Sequence, residues 1–237
     1  MTFKERFFLN FIKDSRWHYL TDGLLVTLEV TFFAVLIGIV IGVVVAGIRS
    51  THDKLIERTR SVFSKAVLKF FNMLANVYLT VIRGTPVTVQ LMIAYYIIFV
   101  TSNNKVLVAV LAFGINSGAY VAEIVRSGIM SIDEGQTEAG RSLGFNYVQT
   151  MFYIILPQAF KNVLPALANE FIVLLKETSI SGYVALQDLT RGGDIIRGRT
   201  YDAFFPLLAV AGIYLVMVIG FTKLVALIER RLRQSER

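Results

Sequence analysis

Of the 237 residues, 55% are hydrophobic and 17% charged, with a mean hydropathy of +0.61, which excludes an ordinary soluble domain and indicates a polytopic membrane protein. There is no cysteine, and the two histidines, His18 and His52, stand far apart; disulfides, thiolate sites and a histidine-based metal centre are thereby excluded. The net charge of +7 falls largely between apolar runs, where it reports cytoplasmic loops rather than a nucleic-acid surface.

The opening "MTFKERFFLNFIKDSRWHYL" lacks the separate apolar core and small-residue cleavage site of a signal peptide. Its aromatic residues among lysines and arginines predict an interfacial segment over residues 1–22, with a loose tail as the alternative. The first span is "VTFFAVLIGIVIGVVVAGI", Val30 to Ile48, extending back to about Gly23, with Glu29 near its outer end. A basic loop, "RSTHDKLIERTRSVFSK", follows. Between Val62 and Val100 the pattern predicts one long helix kinked at "RGTP", Arg83 to Pro86, because proline removes a helix donor and disfavours the helical region for Thr85. Two short spans, giving six crossings in all, are the alternative. A third span starts at Val106 and carries Asn116, Ser117 and Tyr120, with Glu123 and Arg126 spaced to pair at its inner end.

Residues 128–156 form a polar segment in which a short helix, Ser131 to Gln136, precedes a second from about Thr137. Gly144 is placed to end that helix in a left-handed conformation. Leu156 to Leu175 is the fourth span, with Asn169 and Glu170 deep inside it. Lys176, Glu177 and "RGGDIIRGR" then read either as receptor contacts or as solvated helix ends. Phe204 opens the fifth span, and a basic tail, residues 232–237, closes the sequence. The basic first loop and basic tail share one side under the positive-inside rule, which favours five spans, the N-terminus outside and the C-terminus cytoplasmic. The expectation is an all-α membrane protein with one transmembrane domain over residues 23–231.

Glu138-Ala139, Gly144, Ile154 and Leu156-Pro157 resemble, in identity and spacing, the EAA signature of permease subunits of ATP-binding-cassette (ABC) importers; Gly140 replaces the usual second alanine. "RGTPVTVQL", "NSGAYVAEIVRSGI" and "LPALANEFIVLLKETSI" are similar to the polar amino-acid uptake branch of that family. The resemblance implies a type I importer permease fold in a bacterial inner membrane. It also implies a second permease subunit, two ATP-binding subunits and an extracytoplasmic substrate-binding protein. No "GxxxxGK[ST]" loop is present, so ATP and magnesium belong on the partner chains and this chain binds no cofactor. Glu138, Ala139, Gly140, Gly144, Leu156 and Pro157 become the expected ATPase-coupling residues.

Polar groups inside a span face a cavity or a partner group. Glu170 is therefore the leading candidate to line an amino-acid pathway, a structural ion pair being the alternative. Asn169, Gln90, Asn116 and Tyr120 are further candidates, each of which could equally bridge packed helices. Arg83 is read as structural. The competing function, a stand-alone channel or ion-coupled carrier, predicts inverted repeats that the sequence does not display.

Overall fold

The computed structural model describes residues 2–57 and 59–234, and among these all regular structure is helical. A short α1 (Phe3–Phe7) leads through a π turn into α2 (His18–Leu55). There follow α3 (Val62–Gly84), α4 (Val87–Ile93) with a π turn to Ile98, and α5 (Lys105–Met130). The remainder is α6 (Glu134–Ser142), α7 (Tyr147–Thr150), a π turn, α8 (Leu156–Glu177), α9 (Leu189–Thr200) and α10 (Phe204–Gln234). Residues 235–237 of the tail lie outside the described residues.

Five stretches are long and apolar enough to cross a bilayer: His18–Leu55, Val62–Gly84, Lys105–Met130, Tyr147–Val184 and Phe204–Arg231. At a rise of about 1.5 Å per residue even α3 reaches roughly 35 Å. Val87–Ile98 falls well short of that. The expected kinked helix is in fact two helices. Thr85 is extended (φ −123°, ψ 146°), α3 stops before it, and Pro86 (φ −64°, ψ 135°) caps α4. The proline is thus used where its missing donor does no harm, at a helix start rather than inside one.

The chain divides into two compact units. One comprises Ile37–Thr85, Ile115–Glu170 and the chain from Leu227. Within it α2 and α5 touch at small residues. A Cβ on Gly38 would stand 3.0 Å from Ser117 Oγ, one on Gly42 would meet Val121, and one on Gly118 would lie 2.9 Å from Ile41 Cβ. Further along, Arg49 bonds Glu123 at 2.9 Å and Asp53 bonds Arg126 at 2.8 Å. Numbers rise together on both helices, so α2 and α5 run parallel. An odd number of crossings must separate two parallel spans; α3 supplies one, and the six-span alternative fails. By contrast α8 is antiparallel to α5, because Ser131 meets Asn162 while Ser117 meets Glu170.

The other unit comprises the chain up to Leu36, Pro86–Gly114 and Phe171–Ala226. Leu20, Leu189, Ile196 and Val210 form its buried cluster. The N-terminal segment is fastened rather than loose. Arg6 forks onto Asp202 at 2.7 and 2.9 Å, Asn10 adds a third bond at 2.9 Å, and Phe3, Phe7 and Phe11 pack around Phe205. The guanidinium holds the Asp202 carboxyl down to about 2, so the clamp stays ionised at ordinary pH. Asp188 is the opposite case. It caps α9 through the Thr190 and Arg191 N–H groups, but burial pushes its carboxyl up to about 6. Its contribution to stability is therefore fullest at acid pH and is lost as pH rises through about 6.

Leucine at position 42 should overpack the α2–α5 contact by about 1–3 kcal/mol and lower the apparent melting temperature of the detergent-purified chain. Gly47→Leu, where a Cβ meets nothing within 4 Å, should leave it unchanged; equal melting of the two variants would refute the contact.

Candidate functional site

Two features of the unit that contains Ile115–Glu170 stand out, an exposed helical knob and a groove with several polar side chains in its lining. The knob is α6. Asp133 caps it by accepting the Gly135 N–H at 2.8 Å, so the helix begins at Glu134 and the expected separate helix over Ser131–Gln136 does not form. Its end follows expectation. Gly144 has φ +83°, its N–H reaches the Arg141 carbonyl at 2.9 Å, and the Phe145 N–H reaches the Gly140 carbonyl at 3.0 Å. This is a Schellman closure, which needs a residue at positive φ. Asn146 and Gln149 then cap each other reciprocally and start α7 at once.

Gly140 is buried because α6 lies directly on the following helix, where an added Cβ would stand 2.8 Å from Thr150 Cγ2. That explains glycine in place of the second alanine of the signature. Glu138 and Ala139 face solvent, as does Leu143, which is 73% exposed. Leu156 is half-buried and packs beside Ile129, Ile155 and Ala159, tying the knob to the ends of α5 and α8. Pro157 needs room for its ring and has no donor. The wide turn over Met151–Ile155, closed by the Leu156 N–H to the Met151 carbonyl, comes just before it. Beside the knob, a cleft of about 320 Å³ holds Asp53, Glu57, Glu134 and Glu138 together with Lys54 and Arg141.

The groove, about 610 Å³, is lined by Glu123, Ser127, Gly128, Ser131, Asn162 and Ala166. Its polar groups recur at helical spacing. On α5 the stripe continues upward from Ser127 through Glu123 and Tyr120 to Asn116; on α8 it runs from Asn162 to Asn169. Tyr120 and Asn169 are exposed, whereas Asn116 is buried. Glu170 is also buried, and one of its carboxylate oxygens accepts the Ser117 hydroxyl at 2.9 Å. Gln90, half-buried on α4, belongs to the other unit.

Glu123 does not pair with Arg126 as spacing suggested. One of its oxygens receives Arg49 at 2.9 Å and Arg83 at 3.2 Å, and the Arg83 guanidinium stands 5.9 Å from the Tyr120 ring centroid. Arg126 takes Asp53 instead. The i, i+3 rule places two residues on one face, but it cannot anticipate charges arriving from other helices. Ser127 and Asn162 were also missed, although period-3.6 counting of polar residues along the two spans would have found them. In the unit that contains Phe171–Ala226, Arg191 and Arg197 both bond Asp194, Lys176 is exposed, and Glu29 is exposed on α2. Among the described residues no group of three or more His, Asp or Glu side chains could hold a metal ion.

A family model described as "Binding-protein-dependent transport system inner membrane component" matches residues 62–234. The arginine transport system permease protein of Bacillus subtilis is 34% identical over 221 residues, covering 92% of this chain and 94% of that protein. The glutamine transport system permease protein of Escherichia coli is 37% identical over 166 residues, 68% of this chain and 76% of its own length. Among solved structures, one described as an amino acid ABC transporter with histidines superposes with a TM-score of 0.80 at 42% identity. That match covers 93% of this chain and 98% of the other.

Removing the hydroxyl with Ser117→Ala takes one hydrogen bond from a buried carboxylate, a loss of about 1.5–3 kcal/mol. The apparent melting temperature in detergent should fall by several degrees; an unchanged value would mean that Ser117 does not hold Glu170.

Proposed function

The chain belongs to the family of inner membrane components of binding-protein-dependent transport systems, and from that premise we propose that it is the permease subunit of an ATP-driven amino-acid importer. The observation that carries the reading is the knob: a rigid, capped helix that leaves Leu143 in solvent while anchored to the ends of two spans. An exposed apolar tip on a fixed helix suits docking into a groove on another protein. In this reading Glu138, Ala139, Gly140 and Gly144 present the tip to an ATP-binding subunit, and Leu156 and Pro157 join it to the spans.

The positive-inside rule puts the knob, the α2–α3 loop and the tail in the cytoplasm, with the N-terminus outside. A second permease subunit completes the pathway, two ATP-binding subunits supply ATP and magnesium chemistry, and an extracytoplasmic binding protein delivers the amino acid. Closure of the ATPase pair then displaces both knobs and rocks the attached spans between outward and inward access. The polar groove supports a route for a hydrated solute, because a serine, asparagine and carboxylate stripe gains nothing from facing lipid. Glu170, held by Ser117, is the counter-charge for the substrate's cationic group, with Asn169, Asn116 and Tyr120 as further candidates along the path.

Gly144→Asp costs about 1–2 kcal/mol in the left-handed region and places a charge at the tip. The chain should still insert, while ATP hydrolysis by the reconstituted complex no longer drives uptake. Wild-type transport in that variant would end the docking role. With Glu170→Gln, uptake should weaken while the ATP-binding subunits still co-purify; unaltered uptake kinetics would remove Glu170 from the path.

A further inference from the structure

Helix α3 has three faces. On one, Ala75 and Leu79 are buried against Val45 of α2 and Ala119 and Ala122 of α5. On the second, Phe70, Leu74, Val77 and Val81 are exposed and wholly apolar, as a surface in contact with lipid requires. Every charged or amide side chain of the helix falls on the third. At 3.6 residues per turn, Lys65, Lys69, Asn72, Asn76, Thr80 and Arg83 lie within an arc of about 80°. Lys69, Asn76 and Thr80 are exposed. Asn72 is half-buried, and its Oδ1 is buried with no hydrogen-bond partner among the described residues. With His52 of α2, these side chains border a groove of about 450 Å³.

Lipid, a second copy of the chain, or water carrying a solute are the three things that could meet this face. Amides and a hydroxyl facing hydrocarbon are costly. A two-fold contact between copies of α3 would set Lys65, Lys69 and Arg83 near their own counterparts, like charge against like. Water satisfies the amides and the cations alike. The direction of the arc agrees. Arg83, at its upper end, bonds Glu123 and covers the Tyr120 ring, and Glu123 also lines the groove between α5 and α8. The polar face of α3 thus borders the same open side of the unit as the polar face of α5. We infer that Lys69, Asn72, Asn76 and Thr80 form the inner wall of the amino-acid route, along which the solute passes from the level of Arg83 to the cytoplasm. The inference rests on the importer reading above and adds the exit half of the path. From Thr80 to Lys69 the wall descends about 16 Å. Its amides both donate and accept, so they hand on a zwitterion's carboxylate and ammonium in successive weak contacts.

The chain has no native cysteine, so single cysteines can be read without background. The complex with its ATP-binding subunits is reconstituted in vesicles with those subunits outward and treated with a membrane-impermeant cationic methanethiosulfonate. Asn76→Cys and Thr80→Cys should react at least about tenfold faster than the lipid-facing Leu74→Cys and Val81→Cys, because a thiol must ionise in water to react. Modified Asn76→Cys should also lose most of its ATP-driven uptake of L-arginine or L-glutamine, while treated Leu74→Cys keeps its own. Co-purifying ATP-binding subunits and full labelling in denaturing detergent show that each variant is assembled and its thiol intact. Stripe cysteines that react no faster than the lipid-facing pair overturn the inference. So does a modified Asn76→Cys complex that transports at its untreated rate, which would make the face a wet crevice off the route. Modification that blocks an uptake proceeding without ATP would leave the wall standing and remove the ATP-driven reading instead. Wild-type vesicles that take up neither amino acid would overturn the amino-acid reading on which the inference rests.

Discussion

The unit built from Ile37–Thr85 and Ile115–Glu170 depends on how closely α2 and α5 approach. Between helices in lipid there is no hydrophobic force comparable to that in water, and association rests on van der Waals fit between small residues. Gly38, Gly42, Gly118, Ala119 and Ala122 supply that fit. Because the contact advances in step along both helices, it makes them parallel, and the parallel arrangement dictates how many crossings lie between them. The placement of α6 between the C-terminal end of α5 and the N-terminal end of α8 follows. So does the meeting of Arg49 with Glu123, and of Asp53 with Arg126, at the same end.

One helix, α5, carries two incompatible demands. One face must be small and apolar to receive α2; another carries a tyrosine, a glutamate and serines that only water, protein or solute can satisfy. The period of 3.6 residues lets both exist in one sequence. It also explains why this span is less apolar than α2. Antiparallel α8 packs beside this helix, its Asn162 bonding Ser131 and its Glu170 accepting the Ser117 hydroxyl.

Much of this was legible beforehand. Span number and the turn at Gly144 follow from composition, spacing and the peculiar backbone freedom of glycine. Pro86 announced a disruption, but whether a proline bends one helix or separates two depends on what α3 and α4 pack against, which local sequence does not encode. The same limit explains Glu123. Its neighbour in sequence, Arg126, was a reasonable partner until Arg49 and Arg83 arrived from helices 74 and 40 residues away. Gly140, read as a mild departure from a motif, turned out to be the point of tightest packing between α6 and Thr150.

The N-terminal clamp bears on biosynthesis. Arg6 and Asp202 are 196 residues apart. At about 5–20 residues per second, the first segment emerges roughly 10–40 seconds before its partner exists. Throughout that interval Phe3, Phe7 and Phe11 lack the aromatic ring that later gathers them. The Phe3–Phe11 segment is thus among the last parts to reach its final place, and a ribosome stalled before the fifth span leaves that greasy, positively charged segment unpartnered. Synthesis of Asp202 and Phe205, at the threshold of α10, is what retires it.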